Sequence, residues 1–143
     1  MLLEKIEPNN NKTIKNKGDK IMSIFDYNGH HFANGGSETT EEYKKFQKIY
    51  IDYLKKLCEA NRWTITKILK GHYEFSIFIK NEKNHYVYLS ICDVRYFHNQ
   101  WYNHILIRGA VHDEDYVGLH NEYTNLTQLP SDIGRIFRFL ARK

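Results

Sequence analysis

The fold of this chain is constrained most by one long aromatic block, residues 71–116, which contains most of the strand-forming sequence. Short runs rich in Ile, Val, Phe and Tyr alternate there with polar turns, and such alternation is typical of antiparallel strands. A further run of Thr and Ile directly precedes the block. Four strands are predicted, at residues 63–70, 73–80, 85–92 and 103–110. The second and third of these predict a β-hairpin.

The register of that hairpin decides which side chains share a face, because side chains alternate between the two faces of a sheet. The polar turn at residues 81–84 predicts that Lys80 pairs with His85. One face would then carry Tyr73, Phe75, Ile77, Ile79, Tyr86 and Tyr88, and the other Phe78, Val87, Leu89 and Ile91. Both faces are apolar, so we expect helices to cover one and loops or a partner to cover the other.

Two amphipathic helices are predicted outside the block. Residues 40–60 repeat apolar side chains at three- and four-residue steps, which places them along one helix face. The opposite face carries Lys44, Lys45, Lys48, Lys55 and Lys56. A solvated surface is the simplest interpretation of these lysines, and nucleic-acid contact is the alternative. A second helix begins near Pro130 and is basic on its outer side. The predicted fold is α+β: a long N-terminal helix, a roughly four-stranded antiparallel sheet and a C-terminal basic helix.

The first 22 residues differ from the rest in composition. They are rich in Asn and Lys and lack a sustained apolar period, which is typical of a disordered tail. Residues 17–22 can also be encoded by a sequence that contains a bacterial ribosome-binding site just before the codon of Met22. We therefore expect residues 1–22 to be a disordered tail or a leader mistaken for protein, and residues 23–143 to form a single α+β domain.

Composition limits the class of protein. The chain has 143 residues, a net charge of +4 and an aromatic fraction of 15%, with 11 tyrosines. Its two cysteines, Cys58 and Cys92, form no CxxC pair, which favours a reducing compartment over a disulfide framework. No apolar run approaches the length of a membrane span. We expect a cytoplasmic protein without a cofactor, for which an acidic partner such as nucleic acid is permitted but not required.

One group of polar residues suggests chemistry. A tight loop between the third and fourth predicted strands would place Arg95 opposite His104, with Asp93 and Arg108 on the same face. Such a set could bind a phosphate or act in general acid–base catalysis, which would suit a small nuclease. We favour the simpler interpretation, the salt-bridged rim of an antiparallel sheet, so no catalytic residue is predicted and the acid–base set is retained as the alternative. A shift of one residue in register would place these side chains on different faces of the sheet.

A second group suggests a metal. His112, Asp113, Asp115 and His120 carry ligand atoms that suit a hard or borderline divalent cation. Their spacing matches no metal-binding motif, and an acidic surface turn explains the same residues. No metal site is predicted, and this group is retained as the alternative.

A third group suggests contact with a partner. Aromatic side chains beside arginines can stack nucleic-acid bases, anchor a protein interface or simply fill a core. The glycine-containing consensus of the common RNA-binding sheet is absent. The predicted partner-binding residues are Tyr96, Trp101, Tyr102, Arg95, Arg108, Arg135 and Arg138.

Three strings of residues carry a resemblance: DYNGHHFANGGSE, CDVRYFHNQWYNHILIR and HDEDYVG. They resemble small proteins carried by phages and conjugative elements of low-GC Gram-positive bacteria, over residues 26–139. Proteins of this size on such elements often act against host defences, and anti-CRISPR inhibitors of Cas nucleases are among them. The resemblance implies no catalytic motif.

Two classes of function follow from these observations. The first is a non-enzymatic accessory protein of a mobile element that binds a host protein or nucleoprotein, plausibly a defence nuclease of the Cas type. The second is a nucleic-acid-binding protein or small nuclease that uses the Arg, His and Asp residues of the sheet. We favour the first class.

Overall fold

The computed structural model of the chain describes residues 23–32, 40–71, 73–97 and 100–142. The leader predicted at residues 1–22 lies outside the described residues. The fold is α+β, with two helices and a five-stranded antiparallel sheet. The helices are α1 (Glu41–Asn61) and α2 (Leu129–Leu140). The strands are β1 (Thr64–Lys70), β2 (Phe75–Lys80), β3 (Tyr86–Ile91), β4 (Ile105–Ala110) and β5 (Glu122–Thr124).

Helix α1 forms where the apolar repeat predicted a helix. The hydroxyl of Thr40 accepts a hydrogen bond from the backbone N–H of Tyr43, and two glutamates in the first turn suit the positive end of the helix dipole. The helix ends where Arg62 adopts a left-handed conformation, with φ of 61°. A 3₁₀ turn at Ile24–Tyr27 precedes α1, so α1 is not the first element of the described chain.

The strands follow one another as a meander, in the order β1-β2-β3-β4-β5. The sheet therefore has five strands instead of the predicted four. The strand missed in the sequence is β5, which has only three residues and pairs Tyr123 with Leu106. No strand was predicted there, because a strand of three residues is too short to show an alternating pattern.

The hairpin predicted from residues 73–92 forms, but its predicted register is wrong by one residue. Lys80 pairs with Tyr86 instead of His85, because the turn takes five residues and Asn84 adopts a positive φ of 63°. The Asn81 side chain holds this turn by accepting the backbone N–H groups of Lys83 and His85. As a result, Val87, Leu89 and Ile91 share a face with Phe75, Ile77 and Ile79.

That face is the core face of the sheet, and both helices pack on it. Helix α1 contacts β1, and α2 contacts β3 and β4. Buried aromatic side chains fill the layer between α1 and the sheet: Tyr43, Phe46, Tyr50, Phe75 and Trp101. Burial of large apolar side chains is the main source of stability in such a two-layer fold. No helix of the described residues is long and apolar enough to cross a membrane.

The opposite face of the sheet carries a different set of side chains. Phe78, Tyr88 and Arg108 form a row across three neighbouring strands on this face. The segment between β4 and β5, residues 111–121, folds back over the row and places the Tyr116 ring against Phe78 and Tyr88. We call this segment the cover loop. It is the loop cover expected for the second apolar face.

Candidate functional site

The four residues of the alternative catalytic set occupy three separate places. Asp93 and Arg95 lie in the turn after β3, since β3 ends at Ile91. The Arg95 guanidinium donates to both carboxylate oxygens of Asp93, with the shortest distance 2.6 Å, and lies 3.6 Å above the Tyr73 ring. The cation and the carboxylate therefore neutralise each other on the surface.

His104 lies elsewhere, in a stack of three rings. Its imidazole is 4.3 Å from the Phe97 ring and 4.7 Å from the Tyr123 ring, and both pairs are nearly parallel. Within the described residues the imidazole makes no hydrogen bond to an acidic side chain. A general base needs such an orienting partner or a substrate proton within reach. The His104 imidazole therefore serves as a packing group, stacked between two aromatic rings.

Arg108 lies under the cover loop and is only 7% exposed. Its guanidinium donates to the backbone carbonyl of Tyr116 at 2.7 Å and to the Asn121 side chain at 3.4 Å. Its Nε atom is buried without a hydrogen-bond partner. Gly118 sits directly against this side chain with φ of +66°, and a Cβ there would overlap Arg108. Arg108 thus holds the cover loop, and a large ligand cannot reach its side chain.

The structure therefore does not bring the four residues of the alternative acid–base set together. The prediction required strand pairing to continue through residues 93–97, which would have placed Arg95 across from His104. The observed ladder ends at the pair of Ile91 with Ile105. Beyond that pair, Asp93 begins a turn in which its backbone carbonyl accepts the N–H groups of Tyr96 and Phe97.

The alternative metal ligands are used to shape the cover loop. The Asp115 carboxylate accepts the backbone N–H groups of Val111, Val117 and Gly118, and these bonds lower its pKa. His112 accepts the N–H of Glu114 through Nδ1. In the part of the chain that the structure describes, no three His, Cys, Asp or Glu side chains come together to hold a metal ion.

Glu114, in the same turn, fastens the cover loop to the edge of the sheet. Its carboxylate lies 2.5 Å from Lys67 Nζ on β1. That hydrogen bond lowers the pKa of Glu114 and raises the pKa of Lys67. The acidic turn is therefore structural. These contacts fit the favoured interpretation of these residues as an acidic surface turn.

Two of the predicted aromatic anchors belong to the core. Trp101 has no exposed surface and packs against Phe46 with ring centres 4.8 Å apart. Tyr102, the next residue, is also buried and packs against Trp101. These two residues were predicted as partner-binding residues, and the structure removes them from the surface. Tyr96, in contrast, is 72% exposed and stays available for contact.

The predicted arginines of the basic helix lie on the outer side of α2. Arg135 bonds to Glu122 at 2.6 Å and to Asp132 at 3.3 Å, and the bond to Glu122 raises the pKa of Arg135. Arg138 and Arg142 are exposed, and no carboxylate among the described residues pairs with either. Two positive charges at the end of α2 are thus free to meet a partner.

An apolar groove lies between α2 and the cover loop, with Arg135 on its rim. It has a volume of about 270 Å³. Its apolar walls are Leu119, Ile136, Phe139 and Leu140, and its polar rim is His120, Glu122 and Arg135. We call it the α2 groove. Its volume is at the lower end for a small-molecule site and suits a single side chain of a partner.

Gly109 of β4 forms the floor of the α2 groove. A Cβ at this position would lie 3.1 Å from Leu119 Cδ1 and 3.3 Å from Leu140 Cδ2. The new Cβ would take up space at the floor of the groove, and the two leucine side chains would have to shift to admit it. The absence of a side chain at residue 109 therefore keeps the groove open.

The two segments that border the groove, the cover loop and α2, carry several exposed apolar side chains, and two of them, Leu119 and Phe139, line the groove. Of the large apolar side chains that are exposed in the described residues, five lie in the cover loop or on α2: Val111, Tyr116, Val117, Leu119 and Phe139. Val117 is 86% exposed and Phe139 is 49% exposed. Clustered apolar side chains on a protein surface commonly mark an interaction site.

Of the groove residues, Arg135 was predicted to bind a partner and His120 was named as an alternative metal ligand, but none of the apolar wall residues was predicted. The available signal was Phe139, an aromatic residue that falls outside the apolar stripe of the last helix and among its arginines. Leu119 gave no signal, because a leucine in an irregular segment does not reveal whether it is buried.

Comparisons of this chain with protein-family models, with curated proteins and with solved structures give no match. Function must therefore be inferred from the residues and their geometry.

Proposed function

We propose that this protein is a non-enzymatic binding protein whose α2 groove receives an apolar side chain from an acidic segment of a partner protein. The single observation that supports this most is the open apolar groove along the helix that carries Arg135 and the exposed Arg138. The resemblance to small proteins of phages and conjugative elements favours a host protein or nucleoprotein as the partner, and a defence nuclease of the Cas type as its identity.

The shape of the groove supports an apolar anchor. Protein interfaces draw most of their affinity from a few side chains that enter well-packed pockets. Leu119 and Phe139 are exposed in the free protein and would lose water on binding. Burial of apolar area stabilises a complex by about 25 cal/mol for each Å² removed from water. A Leu or Phe side chain of the partner has the right size to fill the groove.

The charges around the groove support an acidic flank on the partner. Arg138 in the last turn of α2 and Arg142 just beyond the helix add exposed positive charge at this end of α2. Complementary charge raises the rate of association and excludes basic partners. Arg135, which already pairs with Glu122, would contribute mainly its aliphatic stem.

The rival function, a small nuclease, has less support. Asp93 and Arg95 pair with each other, His104 is stacked between two rings, and Arg108 is closed off by the cover loop. A nuclease assay with added divalent metal tests it directly. Degradation of RNA or DNA that stops in His104→Ala would show that the binding function is not the main one.

The proposed function is tested by site-specific photo-crosslinking in a host extract. A photoreactive phenylalanine analogue replaces Phe139 in one variant and Phe25 in another. Phe25 is also about half exposed but contacts Tyr53 and Tyr102, away from the groove, so it is the matched control. We expect one host protein to crosslink through residue 139 and not through residue 25, with or without nuclease treatment of the extract.

The crosslinked protein is then purified and its affinity measured. Phe139→Ser should weaken binding at least tenfold, which corresponds to about 1.4 kcal/mol. Gly109→Ala should weaken binding by narrowing the groove. Phe25→Ser should leave the affinity within twofold. The proposal is wrong if no protein crosslinks through residue 139, or if Phe139→Ser binds as well as the wild-type protein.

A further inference from the structure

A second groove lies at the opposite edge of the sheet, and four lysines line it. It runs between one flank of α1 and the end of β1 and has a volume of about 780 Å³. The lysines are Lys44, Lys48 and Lys55 of α1 and Lys70 of β1. We call it the lysine groove. Because β1 and β4 are separated by two strands, this groove and the α2 groove are distinct surfaces.

The spacing of the lysines spreads their charge along the groove. Lys44, Lys48 and Lys55 lie on one flank of α1, at intervals of four and seven residues. With a rise of 1.5 Å per residue, these intervals are about 6 Å and 10 Å along the helix axis. Positive charge therefore extends over about 16 Å. That length suits a polymer with repeated negative charges better than a single small anion.

The charge of the lysine groove is only partly balanced. Asp52 is the acidic residue among its lining side chains, and it accepts a hydrogen bond from Lys48 at 3.2 Å. Glu41 lies 3.7 Å from Lys44, but its side chain is almost fully exposed, so this pair is weak. Lys55 and Lys70 form no ion pair with a described residue. A bound polyanion would meet a net positive surface.

We propose that the lysine groove binds the phosphate backbone of a nucleic-acid strand without regard to sequence. Lysine acts as a mobile point charge that suits phosphate groups, and neutralising them releases counterions. Within the lining, Ile51 is the apolar side chain and no aromatic ring is present, so base stacking contributes nothing here. This site is independent of the α2 groove, and together the two would suit a nucleoprotein partner.

The test is fluorescence anisotropy with a labelled 20-nucleotide oligo(dT) and the complete chain, at salt concentrations from 50 to 300 mM. For three or four neutralised phosphates on a single strand, the slope of log K against log salt should be about −2 to −3. Lys48→Gln combined with Lys55→Gln should weaken binding about tenfold or more at low salt and reduce the slope by about 1.4. Asp52→Asn, which removes the carboxylate from the groove, should tighten binding several-fold.

The matched control is Lys45→Gln combined with Lys56→Gln. It removes the same charge from two positions of the same helix that do not line the groove, and Gln and Lys have similar helix propensity. Binding should stay within twofold of wild type, as it should for the α2 groove variant Phe139→Ser. The proposal is overturned if the two double variants weaken binding equally, if oligo(dT) does not bind at 50 mM salt, or if poly-glutamate competes as well as oligo(dT). The last result would indicate an acidic protein surface as the ligand.

Discussion

Arg108 lies directly across the β3–β4 pair from Tyr88, and its guanidinium carbon is 4.2 Å from the centre of the Tyr88 ring. One face of the Arg108 guanidinium stacks on this ring, and the guanidinium donates a hydrogen bond to the backbone carbonyl of Tyr116 in the cover loop. No carboxylate of the described residues pairs with Arg108. The sheet therefore holds the cover loop through one buried cation and a ring, and the loop in turn carries Leu119 of the α2 groove.

Replacing Arg108 should release the cover loop. Arg108→Ala loses the bond to Tyr116 and the contact with Tyr88 and leaves a gap under the loop, so we expect a loss of about 2–3 kcal/mol in unfolding free energy. Arg108→Lys keeps the charge but not the planar stack, and should recover less than half of that loss. Urea denaturation measures both. Arg138→Ala, which removes an exposed arginine, should change stability by less than about 0.5 kcal/mol. Equal losses for the two alanine variants would contradict the role of Arg108.

Trp101 should matter for stability and not for binding. Trp101→Ala removes a fully buried indole from the centre of the aromatic core and should lower the unfolding free energy by about 3–5 kcal/mol. Tyr96→Ala removes a largely exposed ring and should cost less than about 0.5 kcal/mol. Thermal or urea denaturation checks both values. A Trp101→Ala variant of nearly wild-type stability would mean that the indole is not in the core.

The aromatic block predicted the hairpin and the sheet, because alternation of apolar and polar residues reports strands directly. It could not fix the register. Val87 and Leu89 are apolar and so are Tyr86 and Tyr88, so both faces of β3 satisfy the pattern. The deciding feature was the positive φ of Asn84, which lengthens the turn by one residue. Asparagine permits that conformation without demanding it.

The same limit explains the errors at the predicted site. Trp101 and Tyr96 look alike in the sequence, since an aromatic residue between strands can enter the core or stay on the surface. Only the tertiary structure separates them. The α2 groove was missed for a related reason: it depends on the absence of a side chain at Gly109, and the space above a glycine exists only once Leu119 and Leu140 surround it.

Both thiols should react slowly in the folded protein. Burial raises the pKa of Cys58 to about 12 and that of Cys92 to about 11, from an ordinary value of 9.0. Reaction with a disulfide reagent at pH 8 requires thiolate, so Cys92 should react roughly a hundredfold more slowly than in the urea-unfolded chain, and Cys58 more slowly still.

Since the folded pKa values are raised, the stability that these groups contribute is intact below pH 9.0 and is lost as pH rises toward 11–12. One fast-reacting thiol in the native protein would refute this prediction.

Asp115 should make the cover loop sensitive to acid. Backbone N–H groups of Val111, Gly118 and Val117 lower its pKa below the ordinary value of 3.8. A lowered folded pKa means that the carboxylate contributes stability above pH 3.8, and that this contribution is lost as pH falls through the folded pKa. Asp115→Asn should therefore show a smaller fall in melting temperature between pH 5 and pH 2.5 than the wild-type protein. Asp113→Asn removes the same charge from the same turn without touching these bonds and is the control. An unchanged acid response in Asp115→Asn would show that these bonds do not hold the loop.

Gly118 and Arg108 should depend on each other. Gly118→Ala costs about 1 kcal/mol for the left-handed backbone alone, and the new Cβ would also displace the Arg108 side chain from its place under the cover loop. We expect a total loss of about 3 kcal/mol in the wild-type background, and only about 1 kcal/mol in the Arg108→Ala background, where there is no side chain to displace. A double-mutant cycle by urea denaturation measures the difference. If the losses of the two single variants simply add in the double variant, the contact between residue 118 and Arg108 does not hold the cover loop in place. The position of Leu119 in the α2 groove would then have another cause.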